Sequence, residues 1–527
     1  MTTQVEPAVE PQQRDRRTLN LIIAALMLTM LMSSLGQMIF STALPTIVGE
    51  LGGVNHMSWV ITAFLLAQTI ALPVFGKLGD QIGRKELFIG AIITFIIGSA
   101  LGGFAANMGV LIAARAIQGL AAGAMMITSQ AITAEVTTER ERGKFMGIMG
   151  SVFAVSSVLG PVLGGWFTDG PGWRWGLWLN VPLGIIAVIA IAVLLKLPQR
   201  ERKFTADWLG TATMAIATAS LVLFVTWGGN EYEWTDPQII GLIIAFVVFA
   251  ALFVIVELRA KDPIVPMTFF RNRNFIITAF VGLGIGVFMF GSLAYLPTYL
   301  QMVHGMSPTS AGLMMIPMMA GLMGTSIVVG QLISKTGRYK WYPIVGMAIT
   351  GVALILLSRL TPDTSLFLVG AVFFVFGFGV GCAMQVLVLI VQVSFPVTVV
   401  GTATGANNFF RQVGGSLGSA LVGGLFIGRL GDEIPKNLAP ALAQLGEEGA
   451  GYAAQFASAD GSNSLTPGMI GQLPPVLQDA LQLAYNNSLT PVFLLLAPVA
   501  FLCAALLLGI KEGRLSNKLS SVETTTD

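Results

Sequence analysis

The sequence predicts an all-α polytopic membrane protein with fourteen transmembrane helices and both termini in the cytoplasm. Three observations predict it. Hydrophobic residues fill 54% of 527 positions and charged residues only 11%, where soluble domains carry roughly 25% charge; mean hydropathy is +0.77. The apolar residues fall in runs of about 20, enough to cross a bilayer as a helix, without the period-two alternation of a membrane β-barrel. Lys and Arg gather in every second connection, which is the positive-inside bias.

The same composition excludes a soluble multidomain protein, a disordered chain and a disulfide scaffold. A net charge of +2 with no basic face excludes nucleic acid as a partner. Cys382 and Cys503 sit in apolar runs and read as small packing residues, with no metal or disulfide pattern. The run from Leu21 is too long for a cleaved signal and ends at Leu44-Pro45, so it reads as an uncleaved first span.

Taken in order, the spans are 20–46, 57–76, 86–106, 109–135, 144–168, 175–196, 207–227, 238–257, 275–300, 309–333, 341–359, 365–393, 400–427 and 489–510. With the N-terminus inside, 23 of the 29 Lys and Arg fall in inner segments, from Arg14, Arg16 and Arg17 through Lys77, Arg84 and Lys85 to Lys511, Arg514 and Lys518. Only Arg174, Arg359, Arg429 and Lys436 lie outside, and Arg115 and Arg411 fall within spans. The chain divides into a tail (1–19), a six-helix bundle (20–198), a two-helix insert (199–262), a second six-helix bundle (263–511) and a tail (512–527). The second bundle carries a long extracellular loop, 428–488, rich in Ala, Gly and Pro, in which Pro475–Tyr485 can form a short amphipathic helix.

One segment repeats. Gly76-Lys77-Leu78-Gly79-Asp80-Gln81-Ile82-Gly83-Arg84 follows span 2, and Gly330-Gln331-Leu332-Ile333-Ser334-Lys335-Thr336-Gly337-Arg338 follows span 10. Both read G-x-L-x4-G-R at equivalent places in the two bundles, a parallel repeat of the kind found in two lobes that rock about a midplane site. In the first copy Gly83 permits a tight turn, and Asp80 stands among Lys77, Arg84 and Lys85 as a charged latch between helix ends. The second copy has Ser334 near that place and no carboxylate, so the latch is asymmetric.

Other stretches carry a pattern: Arg115-Ala116-Ile117-Gln118-Gly119 in span 4, Gly160-Pro161-Val162-Leu163-Gly164-Gly165 in span 5, Trp173-Arg174-Trp175 with Asn180-Val181-Pro182-Leu183-Gly184 at span 6, and Asn407 to Ser416 in span 13. With the repeat, and in this order and depth, they resemble the major facilitator superfamily, in its fourteen-helix drug/proton antiporter family. The resemblance covers nearly the whole chain. It implies the major facilitator fold arranged 6 + 2 + 6, multidrug efflux with antiport of protons, and a role in coupling for the span 4 arginine. The chain departs from the family in span 1, where the usual acid is Gly36. No Asp or Glu sits near a helix midpoint, and His56 and His304 fall in outer loops. The usual embedded proton carrier is therefore missing.

Candidate coupling and gating residues are Arg115, Gln118, Gly119, Asp80, Gly76, Gly83, Arg84, Gly160, Pro161, Gly164 and Gly165. An arginine inside a span costs on the order of 3 kcal/mol on insertion scales, so Arg115 should face the interior and find partners; a purely structural arginine held by helix carbonyls and Gln118 is the plain alternative. The glycines and Pro161 suit a bending, closely packed helix as well as a leak-proof hinge. Candidate cavity residues are Gln37, Gln68, Tyr295, Tyr299, Gln385, Asn407, Asn408 and Arg411, neutral apart from the last; Gln118 and Gln130 are further amides at this depth. Methionines around spans 9 and 10, such as Met314, Met318 and Met319, suit either a many-shaped binding surface or lipid-facing filler. Trp173, Trp175 and Trp178 read as an interfacial belt.

The expected activity is export of lipophilic or amphiphilic small molecules from the plasma membrane by a monomer, with protons as the coupling partner, no cofactor and no metal. A lipid or envelope component as cargo keeps the same fold. Nutrient import is disfavoured by the span 5 motif. A membrane transferase would need clustered His, Asp or Glu at one face, which the sequence lacks.

Overall fold

The computed structural model describes residues 16–52, 56–197, 205, 207–229, 231–456 and 472–517. Arg14, the linker residues Arg200, Arg202 and Lys203, Asp460 and Lys518 lie outside the described residues, as does most of each tail. Thirteen described helices are long and apolar enough to cross a membrane, and a fourteenth, Trp341–Leu357, has 17 residues, at the short end of the spanning range.

The first group is α1 (Arg16–Leu51), α2 (Met57–Ile82), α3 (Arg84–Gly103), α4 (Met108–Val136), α5 (Glu139–Asp169), the short α6 (Trp175–Trp178) and α7 (Asn180–Leu194). Their ends follow local chemistry. Asn107 caps α4 by accepting from Val110 N at 3.0 Å. Thr138 and Glu141 form a reciprocal capping box at the start of α5. Span 6 arrives in two pieces, α6 and α7, joined through Leu179.

Next come α8 (Trp208–Trp227) and α9 (Pro237–Arg259), which pack on each other. The second group is α10 (Arg273–Val303), α11 (Pro308–Leu313), α12 (Ile316–Thr336), α13 (Trp341–Leu357), α14 (Leu366–Ser394), α15 (Val400–Gln444), α16 (Glu447–Phe456) and α17 (Pro475–Leu507). Helices α1 to α7 form one packed group and α10 to α15 with α17 another, and the two are joined chiefly by α5 on α12 and α2 on α15. The connections carrying Arg84, Lys85, Arg140, Lys511 and Asp262 meet at one end of the molecule, here called the basic end. Lys85 Nζ reaches Ala192 O, Arg140 N reaches Ser516 O, and Lys511 N reaches Asn274 Oδ1.

Two features differ from the sequence expectation. Span 13 does not stop near residue 427, because α15 continues to Gln444 through Pro435 and Pro440. Nor is Pro475–Tyr485 a separate helix: it forms the first turns of α17. The reason is shared burial. Ile434, Leu438 and Ala441 of α15 and Leu477, Leu481 and Tyr485 of α17 belong to one core cluster, so each extension covers an apolar stripe of the other.

The insert bridges the groups. Leu221 and Val225 of α8 cluster with Val413 of α15. Trp227 of α8 meets Trp59 of α2 edge-on at 5.6 Å, and Ser58 donates to Glu231 at 2.9 Å. At the basic end Asp262 takes Lys77 and Gln81 of α2. Burial pushes the Asp262 carboxyl up, but Lys77, Thr205 and Gln81 outweigh it and hold the group below its usual range. Helix α9 is largely exposed along Ile240, Ile244 and Val247, an apolar face suited to lipid.

Within the second group, α10 and α15 approach closely: a β-carbon on Gly414 would overlap the Leu283 carbonyl. Gly414→Val is expected to destabilise the detergent-solubilised protein by about 1–3 kcal/mol, read as a lowered thermal midpoint. Gly324→Ala, where a β-carbon meets nothing within 4 Å, should leave the midpoint unchanged. Equal midpoints for both variants would contradict the packing described.

Candidate functional site

The two helix groups meet along a seam at the basic end, and the repeated motif builds it. The first glycine of each copy lies at a crossing of helix backbones. A β-carbon on Gly76 would stand 2.5 Å from Gly401 O of α15, and one on Gly330 would stand 2.5 Å from Gly143 O of α5. The α2–α15 crossing continues one turn on, where a β-carbon on Gly405 would stand 2.5 Å from Leu72 O. Small residues are what allow helices to come this close in lipid. The second glycine of each copy ends its helix with positive φ, 109° at Gly83 and 70° at Gly337, a backbone region that other residues rarely adopt.

Asp80 stands one turn beyond Gly76. It is 3% exposed and binds across the seam. Its oxygens accept from Gly401 N (3.2 Å), Thr402 N (2.7 Å) and Thr402 Oγ1 (2.9 Å), and from Arg84 at 2.7 Å. A carboxylate there satisfies free N–H groups at the start of α15 and faces the positive end of its dipole. Arg84 completes the network through Glu135 (2.8 Å), Ala131 O (3.1 Å) and Val397 O (2.5 Å). At the second copy Glu512 does a comparable job from the C-terminal segment. It accepts from Tyr339 N (2.6 Å) and Lys340 N (2.9 Å), ahead of α13. Glu139 accepts from Ser516 N at 2.7 Å.

Arg115 lies away from this seam. All its described partners belong to α1, α2 and α4: Gly36 O (3.0 Å), Val60 O (3.2 Å) and Gln118 Oε1 (3.1 Å). The guanidinium also lies 4.3 Å from the Phe40 ring centre and 4.2 Å from that of Phe64, contacts that match a cation without a carboxylate. Gln118 passes the network on to Ser99 at 2.7 Å. Gly119 lies where a β-carbon would overlap the Phe64 carbonyl. At Gly36 the backbone oxygen, not a side chain, meets the arginine.

A second polar cluster crosses the seam deeper in. Asn408 Nδ2 donates to Gln130 Oε1 of α4 at 2.9 Å, and Gln392 Nε2 of α14 donates to Gln130 O at 3.1 Å. Arg411 donates to Asn408 Oδ1. Arg142 reaches the carbonyls of Gln392 and Ala134. Gln392 and Arg142, 1% exposed each, were not among the sequence candidates. Gln392 carried the same signal as the other amides in apolar spans, whereas Arg142 sits where a sequence shows only a basic connection.

The remaining candidates disperse. Gln385 lines a void of about 10 Å³ with Gly147, Ser326 and Gly330 on the α5–α12–α14 seam. Gln68 is buried on α2, while Gln37 is half-buried on α1. Tyr299 donates to Asn486 of α17 at 3.2 Å, and Tyr295 packs on Phe426 of α15, so both stay inside the second group. Gly160 faces Met38 of α1, Gly164 is buried, and a β-carbon on Gly165 meets nothing within 4 Å. Pro161 lies inside an unbroken α5. His304 ends α10 against the Tyr299 ring, and burial lowers its pKa. Trp173 is buried and donates to Glu50 at 2.7 Å, so only Trp175, 54% exposed, and the half-buried Trp178 suit an interfacial belt. Hydrogen bonds from Trp173 and Arg174 hold the Glu50 carboxyl below its usual range.

A family model described as Major Facilitator Superfamily matches residues 26–419. An uncharacterized transporter of that type from Mycobacterium tuberculosis is 38% identical over 96% of this chain and 71% of its own. The multidrug transporter protein MdtP of Bacillus subtilis is 35% identical over 96% of this chain and 95% of its own. Among solved structures, the human organic anion transporter MFSD10 superposes with a TM-score of 0.60 over 93% of this chain and 99% of its own, at 15% identity; at that identity the likeness is one of fold.

The Asp80 contacts predict a measurable gate. In a background lacking Cys382 and Cys503, maleimide should label a cysteine at the buried Val400 several-fold faster when Asp80→Asn is added, roughly the effect of losing one to two charge-assisted hydrogen bonds. Asp80→Glu should fall between. An unchanged labelling rate would mean that Asp80 does not hold α15.

Proposed function

The chain belongs to the major facilitator superfamily, and from that premise we propose that it exports lipophilic or amphiphilic small molecules by alternating access. It is a multi-pass membrane transporter and not an enzyme. The observation that carries the mechanism is the pair of crossings at the basic end, α2 on α15 and α12 on α5. Each crossing joins the second spanning helix of one group to the fifth of the other, so parting both opens that end to the seam. The basic end is the cytoplasmic one, because the Lys and Arg of the sequence collect there. Closed there, the chain is poised to release to the outside. The close relation to a protein named as a multidrug transporter supports cargo of many shapes.

Protons couple to this motion through the carboxylates that hold the seam. Span 1 offers none, since Gly36 gives Arg115 only its carbonyl. Asp80 and Glu135 sit where their charge bears on closure: Asp80 faces the start of α15 and shares Arg84 with Glu135. The transporter acts as a monomer, with each seam formed inside one chain. Arg115 holds α1, α2 and α4 together so that they move as one body.

Expression in cells is expected to lower accumulation of an uncharged lipophilic dye such as Nile red, and purified protein in vesicles should move it faster when the lumen is acidified. Arg115→Ala should cut that rate by about tenfold or more, because the carbonyls of Gly36 and Val60 lose a buried partner. Full activity in this variant would remove Arg115 from the mechanism. Unchanged accumulation across several lipophilic dyes would count against the drug-export reading.

A further inference from the structure

Four arginines are buried: Arg84, Arg115, Arg142 and Arg411. A guanidinium offers five donors and no acceptor, and at membrane depth its charge has to be matched. Arg84 has two carboxylates and two carbonyls. Arg115 has three oxygens and two aromatic faces. Arg142 has the carbonyls of Gln392 and Ala134 and lies near the charge of Glu139.

Arg411 is different. It is 6% exposed, and its side-chain hydrogen bond goes to Asn408 Oδ1. Like Arg115 it stands in none of the ion pairs among the described residues, but where Arg115 meets three oxygens and two ring faces, the described contacts of the Arg411 guanidinium come to one amide oxygen. Two further buried donors beside it have no partner. One is Asn407 Nδ2, on the residue one turn back along the same face of α15. The other is Gln130 Nε2, on the amide whose oxygen holds Asn408.

This corner of the seam has more donors than acceptors, and its positive charge meets one neutral amide oxygen. An ionised acid is an acceptor-only group, and a guanidinium can grip one through two parallel bonds. A cationic headgroup would be repelled, and a neutral one would leave the charge unmatched. The unpaired oxygen of Gln392 nearby carries no charge and does not alter that balance. We propose that the seam binds an anionic headgroup, a carboxylate or phosphate on an apolar body, with Arg411 as its counter-charge and Asn407 and Gln130 as further donors. The proposal rests on the export reading above and gives its cargo a charge. An anion leaving the negative side of an energised membrane also runs down the electrical gradient, so such cargo is driven without an acid in span 1.

The test is equilibrium binding to the full chain in phosphatidylcholine nanodiscs, with laurate, methyl laurate and dodecyltrimethylammonium as probes. Wild type should bind laurate at least about tenfold more tightly than the other two. Arg411→Gln should erase that preference, whereas Arg411→Lys should keep most of it. Phosphatidylglycerol built into the nanodiscs separates the sources. Competition with laurate would make a membrane lipid the natural occupant, and no competition would make it a free amphiphilic acid. Equal binding of laurate and its methyl ester to wild type, or a preference that survives Arg411→Gln, overturns the proposal. If the cation binds and Nile red is exported while laurate is ignored, export stands and the anionic cargo falls. If no probe binds and no dye moves, the export reading itself has failed.

Discussion

Two backbone crossings hold the basic end shut, and both depend on the absence of a side chain. Gly76 lies on Gly401, and Gly330 lies on Gly143. In lipid there is no hydrophobic drive to push helices together, so close van der Waals packing has to supply the contact. A contact of that kind between small residues exposes little apolar side chain when it parts. The charged partners sit one turn outside it: Asp80 with the first residues of α15, and Arg84 bridging Asp80 and Glu135. Close packing sets the geometry of closure, and ionic contacts set how firmly it is held.

Buried charge is handled in two ways. Where an arginine holds helices of one group, as Arg115 does, the chain surrounds it with carbonyls and aromatic faces, and no carboxylate is needed. Where an arginine has a single amide oxygen as its described acceptor, as Arg411 does on α15, the match is thinner. The contrast follows from what each has to do. A charge that only ties helices together is best fully paired, because an unmatched one is expensive in a low-dielectric interior. A charge that meets cargo has to keep part of its capacity open.

Much of this architecture is legible in residue order. The runs that read as spans are helices, and the repeated G-x-L-x4-G-R marks both crossings, because its first glycine is needed for approach and its second for a left-handed turn. The candidate site was legible only in part. Asp80 was visible as a latch, but its partners Gly401 and Thr402 were not, since they lie about 320 positions away and no local pattern joins them. Arg142 read as a loop charge, yet it is buried, because α5 starts a turn before the apolar run and carries the residue inside. The continuation of α15 to Gln444 was hidden by Pro435 and Pro440, which read as breakers until α17 supplied a surface to pack on.

The sequence by itself determined the number of crossings, the side on which positive charge collects, and the motifs that place the chain among the major facilitators. Those are properties of single segments against a bilayer, where hydropathy and charge decide locally. Only the tertiary structure decided which oxygens each buried arginine meets, which amides meet across the seam, and which end is closed. Each of those depends on atoms from several helices arriving at one point, and a one-dimensional string holds the atoms without their distances.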